Sequence, residues 1–205
     1  MCIRCIEGGF HQPSLTEKVK DKNELVGGLV DQQWKDYMQY VGHLDDNDVD
    51  VYVAPDLPRK TKRFARRLVR KVNKVTDFDI IINNKKSEAD VIMDDRANYD
   101  FLGEDFSNAA GVAYWEDDKT YATWNEEYSQ PVKDRKGRYR LDGWTRYVIT
   151  HEFLHTLGLD HPFGTGDNGA YTSKDTVMSY NITRFYGNPM RSADVAALQE
   201  LWGVV

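Results

Sequence analysis

HEFLHTLGLDH, residues 151–161, is the segment around which the rest of this chain can be placed. His151 and His155 are four residues apart, so on an α-helix their imidazoles project from one face, about one turn from each other. Gly158 tolerates the left-handed backbone that ends a helix, and His161 follows three residues later. The spacing predicts a helix through the first two histidines, a turn at the glycine, and three imidazoles that converge on one point.

Three converging imidazoles are typical of a zinc site. Neutral imidazole nitrogen suits Zn²⁺, which prefers tetrahedral coordination at about 2.0–2.1 Å. The ligands His151, His155 and His161 leave the fourth position to water, which is the arrangement of a catalytic rather than a structural site. Glu152 is a carboxylate beside the first ligand that can take a proton from this water and pass it to a departing amine. These four residues predict hydrolysis of peptide bonds with zinc as the cofactor.

The same segment resembles the signature of the metzincin metallopeptidases, His-Glu-x-x-His-x-x-Gly-x-x-His followed by a turn that contains methionine. The segment DTVMSY, residues 175–180, supplies such a methionine at Met178. The resemblance implies that Met178 forms an apolar floor beneath the three histidines. Ordinary core packing would also account for a buried methionine at this position.

Tyr180 and Pro162 make the resemblance closest to the serralysin and matrixin-like branch of the family. Serralysins and astacins have a tyrosine two residues after the methionine, and serralysins usually have proline after the third histidine. The resemblance implies that Tyr180 ligates zinc in the resting enzyme and hydrogen-bonds the oxyanion of the tetrahedral intermediate. A core tyrosine with a satisfied hydroxyl is the alternative. Residues 194–203 are also similar to the closing helix of serralysin catalytic domains.

Strand and helix patterns alternate before the histidine segment. Runs rich in valine, isoleucine and aromatic residues predict strands at 49–54, 79–83, 89–93, 111–115 and 120–124. An apolar stripe predicts a helix at residues 59–75, and we interpret its lysine- and arginine-rich face as the solvated side. Together with the resemblance, these patterns predict the α/β (α+β) class. We expect a zincin-like domain with a twisted, mixed, five-stranded sheet, two long helices and a smaller C-terminal subdomain that ends in a helix.

The strand at residues 111–115 has a further implication. In metzincins the corresponding strand is the edge of the sheet above the zinc. The resemblance therefore implies that unpaired backbone groups from Gly111 to Tyr114 bind a protein or peptide substrate as an added, extended strand.

We divide the chain into an N-terminal extension, residues 1–45, and a peptidase domain, residues 46–205. Residues 1–23 are polar and charged, which predicts little order. Residues 24–41 have a helical pattern that is interrupted by two glycines.

The two cysteines, Cys2 and Cys5, both lie in the extension. They predict free thiols on a mobile terminus or, alternatively, a thiolate that occupies the open position on zinc. Residues 1–9 lack the continuous apolar core of a secretory signal, whereas the resemblance implies a protein that acts outside cells. Signal-independent export, release by lysis, packaging in a particle and a shortened chain all remain open.

The composition limits the partners. A net charge of −6 argues against a nucleic-acid binder, and no apolar run approaches the eighteen or so residues that cross a bilayer. The acidic run at residues 45–48 could bind calcium, but it lacks the pattern of an EF-hand loop, so a solvated turn is the simpler interpretation.

Two classes of function follow. The first is a zinc endopeptidase in which Glu152 is the general base. The second is a non-catalytic module that keeps the metzincin fold as a structural or adhesion part, for example of a virion or another particle. A different zinc hydrolase, such as a deformylase, would explain the first two histidines but not His161 or the methionine turn.

Overall fold

A six-stranded sheet forms the frame of the computed structural model, which describes residues 2–7, 21–30, 48–77, 79–103, 106, 109–183 and 190–204, with the backbone alone for 2–7 and 128. Its strands are β1 (Cys2–Glu7), β2 (Asp48–Val53), β3 (Asp79–Asn83), β4 (Val91–Arg96), β5 (Ala109–Glu116) and β6 (Lys119–Asn125). The order across the sheet is β1-β5-β6-β4-β2-β3. β2, β3, β4 and β6 run parallel to one another, whereas β5 is antiparallel to both β6 and β1. The predicted α/β class and mixed sheet are confirmed. The five predicted strands correspond to β2–β6, and β1 is an additional strand.

The helices are α1 (Lys22–Leu29), α2 (Arg59–Asn73), the short α3 (Glu126–Ser129), α4 (Gly143–His155) and α5 (Ser192–Trp202). A small hairpin of β7 (Val132–Lys133) and β8 (Tyr139–Arg140) precedes α4. None of the helices in the described ranges is both long and apolar enough to cross a membrane.

The main core lies between one face of the sheet and helices α2 and α4. Side chains of β2 alternate, so that Val49, Val51 and Val53 are buried while their neighbours are half-buried. Val69 of α2 and Phe153 of α4 are fully buried in the same cluster. A smaller apolar cluster, which includes Tyr99, Tyr114 and Tyr121, forms separately from it. The main core therefore fixes α4, the helix of the histidine segment, against the sheet.

The sheet does not end at β5, and the prediction of an unpaired edge from Gly111 to Tyr114 is wrong. β1 pairs with β5 in the antiparallel direction, from Cys2 opposite Tyr114 to Glu7 opposite Ala109. The expectation of little order is also wrong for Cys2–Glu7. The polar composition of residues 1–23 gave no indication of this strand, because its hydrogen bonds come from a distant part of the chain.

Helix α1 belongs to the predicted extension but packs into the main core. Leu25, Val26 and Leu29 are buried in that core. Val30 forms an isolated antiparallel bridge with Leu159, next to the third histidine of the segment. The helix runs through both glycines that were predicted to interrupt it. The aromatic part of the predicted helix, residues 34–41, and residues 45–47 of the acidic run lie outside the described residues.

We expect the substitution Leu29→Ala to lower the free energy of unfolding by about 2–5 kcal/mol, because it opens a cavity at a fully buried leucine. Urea denaturation measures this change. Ile81→Ala, at a side chain that is 48% exposed, is the control and should cost about 0.5 kcal/mol or less. Equal, small effects of the two substitutions would show that α1 is a dispensable extension of the domain.

Candidate metal centre

Helix α4 holds the first two histidines in a buried position. It begins after Asp142, whose carboxylate accepts a hydrogen bond of 2.7 Å from the Thr145 backbone N–H and caps the helix. Thr145 and residues 147–155 are buried, since other parts of the chain cover this helix on several sides. The helix predicted through the first two histidines is confirmed.

The chain turns after α4, at the glycine where the sequence predicts a turn. Gly158 has a φ of +93°, a left-handed conformation that favours glycine. The Leu159 backbone N–H then donates to the Leu154 carbonyl at 3.1 Å, which closes the turn. The Asp160 N–H donates to the Leu29 carbonyl at 2.9 Å, so helix α1 holds the segment that leads to His161.

The three histidines meet as the sequence predicts. The Nε2 atoms of His151, His155 and His161 lie 3.1, 3.2 and 3.2 Å from one another, and all three rings are buried. Among the described residues, this is the one group of histidine, cysteine, aspartate or glutamate side chains with the spacing of metal ligands. The side chains of Cys2 and Cys5 lie outside the described residues, and so does the predicted alternative in which one of them reaches the metal.

The opposite ring nitrogens fix the tautomers. His151 Nδ1 is 2.8 Å from the Val177 carbonyl oxygen, and His155 Nδ1 is 2.7 Å from the Leu159 carbonyl oxygen. A carbonyl oxygen only accepts, so both Nδ1 atoms carry the proton and both Nε2 lone pairs face inward. His161 Nδ1 lies 3.5 Å from Asp160 Oδ1. This 3.5 Å contact is not a hydrogen bond, whereas acceptors such as those behind His151 and His155 are usual at metal sites.

This donor set fits a zinc ion. Nitrogens at about 2.0–2.1 Å from one ion, at tetrahedral angles, lie about 3.3–3.4 Å apart. The observed separations are 3.1–3.2 Å, so a small movement brings them to that value. Burial lowers the pKa of His151 to about 4, although its hydrogen bond to Val177 opposes the shift. The imidazole is therefore neutral near pH 7, which is the form that binds a metal.

Glu152 lies beside the histidines and against strand β5. Its side chain is fully buried. A Cβ atom placed on Gly111 of β5 would come within 2.8 Å of Glu152 Oε1 and within 2.6 Å of a Val148 methyl carbon. Only glycine lets the β5 backbone approach this close, and so the carboxylate contacts the strand that β1 covers.

Tyr180 also lies at the three histidines. Its ring centroid is 4.5 Å from that of His161 and 5.7 Å from that of His151. The Tyr180 backbone N–H donates to the Gly166 carbonyl at 2.8 Å, and a Cβ on Gly166 would overlap the tyrosine ring at 2.1 Å. The hydrogen bond and this close packing hold the ring in place.

The methionine turn packs below helix α4. Met178 is fully buried in the main core. The hydroxyl of Tyr147, on α4, donates to the Ser179 carbonyl, and its ring centroid is 5.9 Å from that of His151. One side chain of α4 thus ties the turn to the helix of the first two histidines.

Asp194 of α5 fixes the same turn from the other side. Its buried carboxylate accepts hydrogen bonds from the Thr176 hydroxyl at 2.5 Å and from the backbone N–H groups of Arg191, at 2.6 Å, and Val177, at 3.2 Å. The Val177 carbonyl in turn accepts from His151 Nδ1. Burial raises the pKa of Asp194 to about 6, and the hydrogen bonds oppose this shift. A single residue, Val177, therefore links the closing helix to the first histidine.

All five predicted site residues lie in one place, but four residues were not predicted to support them: Gly111, Tyr147, Gly166 and Asp194. The chain has 15 glycines, and the residues next to Gly111 and Gly166 do not distinguish these two from the others. An acidic residue in the first turn of a helix is common, so Asp194 gives no signal of its link to the turn.

A scan of known protein families finds no family model that matches this chain, and a search of curated proteins finds no match either.

We expect Asp194→Ala to lower the zinc affinity by about 10–100-fold, because the Val177 carbonyl behind His151 loses its support. The substitution should also lower the free energy of unfolding by at least about 2 kcal/mol, since it leaves buried donors without their acceptor. Competition with a zinc-binding dye and urea denaturation measure the two effects. Glu200→Ala, at an exposed glutamate of the same helix, should change neither. An Asp194→Ala protein that folds and binds zinc like the parent would contradict the positioning role.

Proposed function

We propose that this chain is a zinc-dependent endopeptidase of the metzincin type, which hydrolyses peptide bonds within proteins. The observation that carries the proposal is the arrangement of three inward-facing Nε2 atoms, 3.1–3.2 Å apart, with a buried glutamate on the next residue of the same helix. The proposed ligands of the ion are His151, His155 and His161. Zinc bound there would polarise the scissile carbonyl and lower the pKa of a water molecule to about 7.

Glu152 is the proposed general base and acid. It accepts a proton from the attacking water and donates it to the amine of the leaving peptide. Its place between the histidines and β5 supports this role, because a substrate along β5 would present its carbonyl groups to both.

Tyr180 is the proposed donor to the oxyanion. Its ring lies next to His161 and is held by Gly166, so its hydroxyl needs little reorganisation to donate. A donor that is fixed before the reaction stabilises developing negative charge without a cost of orientation in the transition state.

The proposed substrate is an extended protein segment that pairs with β5. Strand β1 supports this proposal, since it pairs antiparallel with residues from Ala109 to Tyr114 and shows that the outer edge of β5 accepts a strand. It also means that a substrate must displace β1 or bind after β1 has moved. The N-terminal segment and the substrate would then compete for the same hydrogen bonds.

The buried carboxylate favours an enzyme over a non-catalytic module. Burial of an ionisable side chain costs free energy unless its polar atoms find partners. A purely structural metal site needs the three histidines but not Glu152. A proton-transfer role explains why the chain keeps a glutamate at a fully buried position.

We expect the zinc-loaded protein to hydrolyse casein, and a chelator to abolish this activity. Glu152→Gln should retain zinc but lower kcat/KM by about 10²–10⁴-fold, the usual contribution of a general base. Elemental analysis measures the bound zinc, and release of labelled peptides measures the rate.

Glu127→Gln, the same substitution at an exposed glutamate, is the control and should keep the parent activity. If Glu152→Gln binds zinc and cleaves casein as fast as the parent, the proton-transfer role is wrong. If the zinc-loaded parent cleaves neither casein nor a library of unfolded peptides, with or without β1, the chain is a non-catalytic module.

We expect deletion of residues 2–7 to raise kcat/KM for casein by about tenfold or more, because a tethered strand competes at an effective concentration of about millimolar. Arg4→Pro places a residue with a fixed φ and without a backbone N–H inside β1, which disfavours the strand without shortening the chain and should act in the same direction. Zinc content and urea denaturation check that both variants keep the site. Unchanged kcat/KM in both variants would show that the substrate does not use the outer edge of β5.

A further inference from the structure

Six exposed cations form a straight ridge along helix α2. We call this set the basic ridge, and its members are Arg59, Lys60, Arg63, Arg67, Arg70 and Lys74. Apart from Lys60, they follow one another at intervals of three or four residues, so they share one side of the helix. The opposite side is buried in the main core. The ridge therefore points away from the core, over a length of about 22 Å at 1.5 Å per residue.

The ridge is electrostatically unfavourable for the helix that contains it. Like charges at intervals of three or four residues destabilise a helix by about 0.2–0.5 kcal/mol per pair. Arg59 and Lys60 also lie in the first turn, where the helix dipole favours acidic residues. No acidic residue occurs between Arg59 and Val75. A mixture of acidic and basic side chains would keep this side of the helix soluble with less electrostatic repulsion.

The described part of the chain does not neutralise the ridge. None of its six side chains forms an ion pair with a described carboxylate. Within the described residues, the one hydrogen bond of a ridge side chain inside this helix runs from Arg67 Nε to the Arg63 carbonyl at 3.2 Å, and Arg67 is exposed.

The charge is also segregated from the rest of the protein. Nine of the 27 lysine and arginine residues lie between Arg59 and Lys74, in a chain of net charge −6. The remainder of the chain is accordingly more acidic than the whole. A polyanion would be attracted to the ridge and repelled by much of the remaining surface, which orients the attachment.

The residues around the basic ridge favour some classes of polyanion over others. Charge alone attracts a basic surface to an anionic bilayer, but helices that attach firmly also insert an apolar face, and the apolar side of α2 is buried in the core. Single-stranded nucleic acid binds where exposed aromatic rings stack with its bases. Among the described residues, the exposed aromatic side chains Phe101, Tyr139 and Phe163 lie on other elements.

We propose that the basic ridge binds a linear acidic polysaccharide that has sulfate or carboxylate groups. Four of its six members are arginines, whose planar guanidinium groups bind such anions through two parallel hydrogen bonds. Successive cations lie about 5–6 Å apart along the helix, so an extended chain of regularly spaced anions can contact several at once. The ridge would attach the protein to a polysaccharide matrix independently of the metal centre.

The experiment measures the binding of a heparin oligosaccharide by isothermal titration calorimetry at several salt concentrations. The triple variant Arg63→Gln, Arg67→Gln, Arg70→Gln is compared with its parent. Glutamine is a good helix former and relieves the like-charge repulsion, so the variant should unfold at the same temperature as the parent or a higher one. The matched control Lys133→Gln, Arg135→Gln, Lys136→Gln removes the same charge from exposed positions of the β7–β8 hairpin.

We expect the ridge variant to lose up to about 10²-fold in affinity, at roughly tenfold for each 1.4 kcal/mol and up to about 1 kcal/mol for each exposed ion pair. The slope of log Kd against log salt should fall by about 2–3, because a complex with three fewer ion pairs releases fewer counterions when it forms. The hairpin control should keep nearly all of the parent's affinity and nearly all of its salt dependence. Equal losses in the two variants, or none in the ridge variant, would overturn the proposal.

Two further ligands test the class of polyanion. A thymidine oligonucleotide of equal charge and vesicles that contain phosphatidylglycerol should bind more weakly than the heparin oligosaccharide. If either binds as tightly and is lost in the ridge variant, the assignment to a polysaccharide is wrong. Measurements in the Glu152→Gln background exclude self-digestion, so failure of this proposal is distinct from failure of the proposed peptidase function.

Discussion

The arrangement of the three histidines depends on what lies behind each imidazole rather than on the imidazoles alone. The Val177 and Leu159 carbonyls fix the Nδ1 atoms of His151 and His155, and Asp160 lies behind that of His161. Each of these groups is supported in turn by a different part of the chain. Helix α5 holds the first through Asp194, the turn at the end of α4 holds the second, and helix α1 holds the third through the Leu29 carbonyl. Three separate parts of the fold therefore hold the groups that lie behind the three imidazoles.

The residues that would act on a substrate could be predicted because their chemistry is local. Two histidines at a helical interval, a glycine and a third histidine define the ligand set within eleven residues, and Glu152 is one of those residues. The strands and the long helix α2 could be predicted for a similar reason, since their apolar periodicity is contained within each element. Their boundaries in the structure are within a few residues of the predicted ones.

The supports could not be predicted because they join distant residues. Gly111 matters only because Glu152 lies against it, and Gly166 only because Tyr180 does. Strand β1 was missed for the same reason, since its hydrogen bonds come from β5, more than a hundred positions later in the chain. A sequence pattern shows which face of a helix or strand is apolar. It does not show which distant segment of the chain will pair with that element.

The contact between Leu29 and Asp160 has a consequence for the order of events during folding. The segment before the third histidine is held by a helix from the opposite end of the sequence, and closing so large a loop is slow. Until α1 docks, a newly made chain has two histidines arranged on one helix while the third remains without its support. The site would have all three of its histidines in place only once α1 has docked, so metal binding by the full set would be coupled to the packing of a helix more than a hundred residues away.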